Sequence, residues 1–217
     1  MKRPTRFDVA MLVGGTAVIA LALLVVVIAP APHEATPSGS IKAAVTALDA
    51  RHYHLARRIL DPLATSGNAE AEDWLGYMDE QGLGAKANVN QAIQWFTKAS
   101  SSGSAEADRR LGQIYLDGTD VLQNVDLARQ YLQTGAARGD ADSQRMLGEL
   151  YMRGIGVAKD PTQAYAWLAI AASQGNQQAA SERDALLPSL PADTVSRAEQ
   201  LAQRTLTSID APASAKS

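Results

Sequence analysis

NAEAEDWLGYMDEQGLGAKANVNQAIQWFTKASSSG, residues 68–103, runs without a gap into SAEADRRLGQIYLDGTDVLQNVDLARQYLQTGAARG, residues 104–139, and then into DADSQRMLGELYMRGIGVAKDPTQAYAWLAIAASQG, residues 140–175. These lines are one unit of 36 residues written three times. Superposed, they keep Leu75/Leu111/Leu147, Gly76/Gly112/Gly148, Gly82/Gly118/Gly154, Ala92/Ala128/Ala164, Trp95/Tyr131/Trp167 and Gly103/Gly139/Gly175 in register. A fixed period of about 20–50 residues marks a solenoid, whose units are too small to bury their own apolar face and stack on their neighbours instead. The fold class is therefore all-α, a stack of helical hairpins.

Each unit reads as two antiparallel helices. Asn68, Ser104, Asp140 and Asn176 each follow a helix-ending Gly, and all are types whose side chains cap a helix by accepting from its free N–H groups. The first helix starts there and stops near Gly82, Gly118 or Gly154. A second cap follows at Asn88, Asn124 or Asp160, with Gln91 and Gln163 placed as the far arm of a capping box. Pro161 sits just inside its helix, where a missing N–H costs nothing. A mid-helix Gly costs about 1 kcal/mol against Ala, so Gly76, Gly112 and Gly148 call for a close helix contact. The reading places Trp95, Tyr131 and Trp167 over that contact.

The pattern resembles the Sel1-like repeat family, an α/α-solenoid related in form to tetratricopeptide repeats. The first unit carries it in Ala69, Ala71, Leu75-Gly76, Gly82-Leu-Gly84, Asn88, Ala92, Trp95, Ala99 and Gly103. The third unit matches best, with Leu147-Gly148, Tyr151, Gly154-Ile-Gly156-Val157, Asp160, Ala164, Trp167, Ala171-Ala172 and Gly175. Two departures stand out. Asp79 replaces the aromatic found at Tyr115 and Tyr151, and Asp120 replaces Gly84 and Gly156, so less regular contacts and a less regular loop are expected there. Some secreted relatives are Cys-rich and disulfide-stapled. This chain of 217 residues has no Cys, which excludes that framework and any thiolate metal site.

Residues 1–31 decide the expected location. Lys2, Arg3 and Arg6 precede an uncharged stretch, Val9–Ala31, whose apolar part Val9–Ala29 is long enough as a helix to cross a hydrocarbon core of about 30 Å. The competing reading is a cleaved signal peptide, since Ala29-Pro-Ala31 has a small-x-small form. The run exceeds the usual apolar region of about 7–15 residues, and Pro32 would be an unfavourable first mature residue, so the anchor is favoured. The next cation is Lys42, which puts the N-terminus in the cytoplasm and the rest beyond the membrane. The expected organisation is 1–8 cytoplasmic, 9–31 transmembrane, 32–40 a Pro-rich linker, 41–208 the repeat domain with units 68–103, 104–139 and 140–175, and 209–217 a disordered tail. Ile41–Gly67 is a degenerate leading unit, and Ala192–Ser208 an amphipathic closing helix with Val195, Ala198, Leu201, Ala202 and Leu206 on one face.

Outside residues 1–8, 17 basic and 22 acidic residues leave a net charge of −5, so neither nucleic acid nor an anionic lipid surface is an expected partner. His52 and His54, two apart, point away from each other on a helix and cannot share a metal. Gly82-Leu-Gly84 and Gly154-Ile-Gly156 sit between helices at the repeat spacing, as turn residues rather than phosphate loops. No nucleophile stands beside a base, and no metal, cofactor or catalytic residue is expected. What remains is the surface. The resemblance implies that the first helix of each unit lines a groove, bearing Glu70, Asp73, Tyr77 and Glu80, then Glu106, Arg109, Gln113 and Leu116, then Asp142, Arg145, Glu149 and Met152. These differ between units, as positions free of packing duty would. Asp73, Tyr77, Glu80, Arg109, Gln113, Leu116, Arg145, Glu149 and Met152 are the candidate partner-binding residues, with Tyr77, Arg109 and Arg145 as anchors because Tyr and Arg are enriched in hot spots. The expectation is a single-pass inner-membrane adaptor that presents this groove in the periplasm to a protein of an envelope complex for secretion, pilus assembly, polysaccharide export or signalling. The alternatives are a secreted hydrolase of cell-wall material or β-lactams, and a secreted soluble binding factor.

Overall fold

The structure, a computed structural model, describes residues 40–210. The expected cytoplasmic segment 1–8, the transmembrane helix 9–31, the linker up to residue 39 and residues 211–217 lie outside the described residues. Among those described, no helix is long and apolar enough to cross a membrane.

Helices follow one another as hairpins: α1 (Ile41–Asp49) with α2 (Tyr53–Thr65), α3 (Ala69–Gln81) with α4 (Val89–Ser101), α5 (Ala105–Asp117) with α6 (Val125–Ala137), and α7 (Ala141–Arg153) with α8 (Pro161–Ser173). After these come α9 (Gln177–Leu186), a short 3₁₀ turn (Leu187–Ser189) and α10 (Ala192–Asp210). The expected tail therefore begins too early: Ile209 and Asp210 continue α10.

The caps form where the sequence puts them. Asn68, Ser104 and Asn176 accept from the N–H groups of Ala71, Ala107 and Ala179 at 2.9, 3.0 and 2.9 Å. Asp140 accepts from Ser143 at 2.6 Å. The second helices are capped by Asn88, Asn124 and Asp160. The far arm of the capping box is not used, however. The N–H groups of Asn88, Asn124 and Asp160 instead donate to the carbonyls of Asp79, Tyr115 and Tyr151 at 2.8, 2.9 and 3.0 Å. Each loop folds back along the helix it leaves, and a backbone carbonyl reaches the cap before a Gln side chain does.

Gly82, Gly118 and Gly154 end the first helices with φ of 68°, 61° and 71°. Units one and three close with a further bond, from Leu83 N–H to the Met78 carbonyl and from Ile155 N–H to the Leu150 carbonyl. In unit two the Gln123 amide donates to the Leu116 carbonyl at 2.6 Å. This is the loop with Asp120, and it is the irregular one.

The mid-helix glycines mark close contacts, but the occupants are not those expected. A Cβ on Gly76 would meet the Phe96 ring at 2.7 Å, one on Gly112 would meet Leu132 Cγ at 2.6 Å, and one on Gly148 would meet Leu168 Cγ at 2.7 Å. These residues lie one position after Trp95, Tyr131 and Trp167, and all three are buried. One helical step is about 100°, enough to turn the aromatic off the glycine contact itself. Trp95 packs instead on the apolar cluster built from α1, α2 and α3, and Tyr131 on the one built from α4 and α5. Tyr131 stacks on Tyr115 with ring centroids 6.0 Å apart.

A polar seam repeats beside these apolar layers. Glu72, Asp108 and Gln144 occupy one register position, all are buried, and each meets the residue thirty positions on. Ser102 donates to Glu72 at 3.0 Å, Arg138 pairs with Asp108, and Gln174 donates to Gln144 at 3.0 Å. The site is the same and the chemistry differs in each unit. Glu72 also lies in the first turn of α3, where the helix dipole favours an acid. Asp79 is likewise buried, and it pairs with Arg57 of α2.

Helix α10 does not extend the stack past α9. It lies on α8, covering Tyr165, Ala166 and Ile170 with Ala198 and Ala202, while Val195, Leu201 and Leu206 flank the contact. The register positions of Ala166 and Ile170 hold Gln94 and Lys98 in α4, and Gln130 and Thr134 in α6, all exposed. The outer face of α8 is apolar because a helix covers it.

Candidate functional site

One sizeable cavity opens among the described residues, about 710 Å³. It lies on the face made by the first helices, near the leading end. Helix α1 and the turn after it supply Leu48, Asp49 and Arg51; α2 supplies Tyr53; α3 supplies Glu70, Asp73, Trp74 and Tyr77; α5 supplies Glu106 and Arg110. Its size is in the range of ligand pockets, about 300–1,000 Å³.

Local sequence explains why the cavity forms here. Trp74 occupies the position of Arg110 and Met146, and Tyr53 the position of Val89 and Val125, so the leading units carry aromatic bulk where later ones do not. The loop after α3 closes directly on Tyr53: a Cβ on Gly84, whose φ is 82°, would lie 2.8 Å from Tyr53 Cβ. Trp74 and Tyr77 meet edge to face at 5.8 Å. Arg51 holds φ at 59°, the one non-Gly residue with positive φ among those described. It takes the helix-ending place that Gly takes elsewhere, with Arg51 N–H bonded to Leu48 and His52 N–H to Ala47.

The charges divide into a settled set and an unsettled one. Glu106 is held by Arg109, and by Arg110 at 2.9 Å. Burial pushes its carboxyl up, but the two guanidinium groups outweigh this and keep it below the usual carboxylate range. Arg110 also reaches Glu80 at 3.4 Å and lies 5.3 Å from the Tyr77 ring centre. Asp73 is different. Burial raises its pKa to about 7; the Ser104 hydroxyl bond opposes the rise, Glu106 and Glu72 add to it, and Arg110 opposes it. Its Oδ1 is buried with no hydrogen-bond partner.

Of the residues singled out from sequence, Asp73 and Tyr77 line the cavity and Glu80 holds the Arg110 that does. Arg109, Gln113, Leu116, Arg145, Glu149 and Met152 do not line it. Nor are the expected anchors free of structural duty. Arg109 is bonded to Glu106, and Arg145 to Glu182 at 3.3 Å and Glu149 at 3.7 Å. Gln113 donates to Asp117 at 3.0 Å. Sequence reasoning passed over Trp74, Arg110 and the leading-unit residues Asp49, Arg51 and Tyr53. The signal available for Trp74 and Tyr53 was a break in the repeat, an aromatic at a position aliphatic or basic elsewhere.

Comparison with known proteins agrees with the geometry. The Sel1 repeat family model matches residues 69–104, 105–140 and 141–176, a register one residue later than that set by the caps. A solved Sel1 repeat protein from Oxalobacter formigenes is 28% identical with a TM-score of 0.63, over 66% of this chain and 59% of its own length. The chain thus spans about three fifths of that relative. The protective antigen c5321 of uropathogenic Escherichia coli, described as displaying an SLR fold, is 23% identical with a TM-score of 0.49, over 79% of this chain and 46% of its own. Cysteine-rich protein B of Helicobacter pylori is 22% identical with a TM-score of 0.43, over 66% and 98%. No curated protein matches the chain.

Proposed function

With three Sel1 repeats filling residues 69–176, the chain is a Sel1-repeat protein, and we propose that it is a membrane-tethered scaffold that binds a segment of a protein partner on its first-helix face. The observation that carries this is the aromatic cavity on that face, framed by a ladder of ion pairs. Sel1 repeats generally mediate protein–protein interaction, and a stack of rigid hairpins presents such a surface with little loss of conformational entropy on binding. The tether is residues 9–31, and the charge bias of Lys2, Arg3 and Arg6 supports a periplasmic repeat domain at a bacterial inner membrane. The partner belongs to an envelope complex.

The test places a photo-crosslinking amino acid at Tyr77 or Gln113 on the first-helix face, or at Gln94 or Gln130 on the outer face of the second helices. Crosslinking in intact cells, followed by mass spectrometry of the adduct, should give one recurrent partner from the first-helix positions alone. The same yield from both faces, or no adduct from Tyr77, would defeat the reading.

A further inference from the structure

The charge around the cavity is unbalanced. Glu106 and Glu80 are neutralised by Arg109 and Arg110. Asp49, Glu70 and Asp73 line the same space, and among the described residues none of them forms an ion pair; the one further cation is Arg51. The walls they rim are Tyr53, Trp74, Tyr77 and Phe96. Aromatic faces attract cations, more strongly once the pair is desolvated. The chain already seats one guanidinium in this way, Arg110 over Tyr77. The Trp74 ring stands beside it, edge to face with Tyr77.

We propose that the cavity seats an arginine or lysine side chain of an extended segment of the partner, its aliphatic stem on Trp74 and Tyr53 and its charge met by Asp73, Glu70 and Asp49. This rests on the scaffold reading above and names the chemistry of the occupant. Asp73 is the central contact. Its Oδ2 accepts from Ser104, and its buried Oδ1 has no donor of its own. A buried acceptor without a partner is destabilising, and an incoming N–H would satisfy it. The groups that face Asp73 are Glu72 of α3, Glu106 and Arg110 of α5, and Glu70, Asp49 and Arg51 at the rim. Its pKa of about 7 means that part of the population is protonated near neutral pH. A bound cation favours the ionised form, so binding releases a proton and tightens as pH rises through 7.

The experiment titrates the full-length protein with the blocked tripeptide acetyl-Gly-Arg-Gly-amide, following the Trp74 indole resonance by NMR. The comparison peptide carries citrulline, which has the shape of arginine without its charge. The arginine peptide should bind at least tenfold more tightly than the citrulline peptide, and more tightly at pH 8 than at pH 6. Asp73→Asn should remove most of that preference and its pH dependence, and Glu70→Gln should lower affinity several-fold. Asp126→Asn, at an exposed position on α6, should change neither. Equal binding of the two peptides, or an unaltered preference in both Asp73→Asn and Glu70→Gln, would overturn the proposal. Crosslinking through Tyr77 with no arginine preference would leave the scaffold reading standing and discard this occupant; loss of the crosslink as well would discard both.

Discussion

Replacing Gly76 with Ala sets two known effects against each other. Helix propensity alone favours Ala by about 1 kcal/mol. Against it, the new Cβ would stand 2.7 Å from two carbons of the Phe96 ring and 3.0 Å from a third. Ordinary carbon–carbon contact is about 3.5–4.0 Å, so the overlap approaches an ångström. Phe96 is 1% exposed, and although part of it lines the cavity, the core cluster packed around the ring resists its displacement. Overpacking of this kind costs about 1–3 kcal/mol. The sum is a net loss of about 1 kcal/mol, a fall in Tm of about 2–4 °C for a chain of this size. Thermal unfolding of the full-length chain, followed by far-UV circular dichroism, measures it. Phe96→Leu in the same chain makes room for the methyl, so the double variant should lose less than the sum of the single losses, by about 1 kcal/mol. If Gly76→Ala raised Tm, or if the two changes simply added, the repeated glycine would not be a helix contact, and the packing account of the register would fail.

Three further outcomes follow from the polar seam, the closing helix and the cavity. Arg138→Ala leaves Asp108 fully buried with only the Ser100 hydroxyl at 2.6 Å; because the Arg138 side chain is 33% exposed, the expected loss is about 2–3 kcal/mol rather than the full cost of breaking a buried pair. Ser102→Ala, at the same register position in unit one, should cost only about 1 kcal/mol, and equal urea midpoints for the two variants would contradict the seam. Ending the chain after Leu190 uncovers Tyr165, Ala166 and Ile170, so the truncated protein should bind a hydrophobic dye and associate in sedimentation, whereas a monodisperse, dye-free product would show that α10 is dispensable. Asp73 has a folded pKa of about 7 against about 3.9 unfolded, so between these values the folded state holds the extra proton and stability falls as pH rises. The Tm of Asp73→Asn should therefore gain on that of wild type from pH 5 to pH 8, and parallel curves would refute the assignment.

The fold was legible because a repeat states its geometry three times. Each cap, helix-ending Gly and apolar position recurs 36 residues later, and local chemistry sufficed to place α3 to α8. The site was legible only in part. Asp73 and Tyr77 were identifiable as varying positions on one helix, but Asp49, Arg51 and Tyr53 lie in a leading unit too degenerate to mark them. Arg109 and Arg145 read as free anchors because a sequence does not show which acid lies one turn or one unit away.

By itself, then, the sequence determined the period, the boundaries of the helices within the three repeats and the solenoid class, all consequences of bonds and sterics within a few residues along the chain. Tertiary structure alone decided three things: that Phe96, Leu132 and Leu168 fill the glycine contacts, that α10 folds onto α8, and that aromatic and acidic side chains from α1, α2, α3 and α5 enclose one cavity. Those outcomes depend on the rotation and offset of one helix against another. That geometry is fixed by the packing of many side chains at once and is written in no single stretch of the chain.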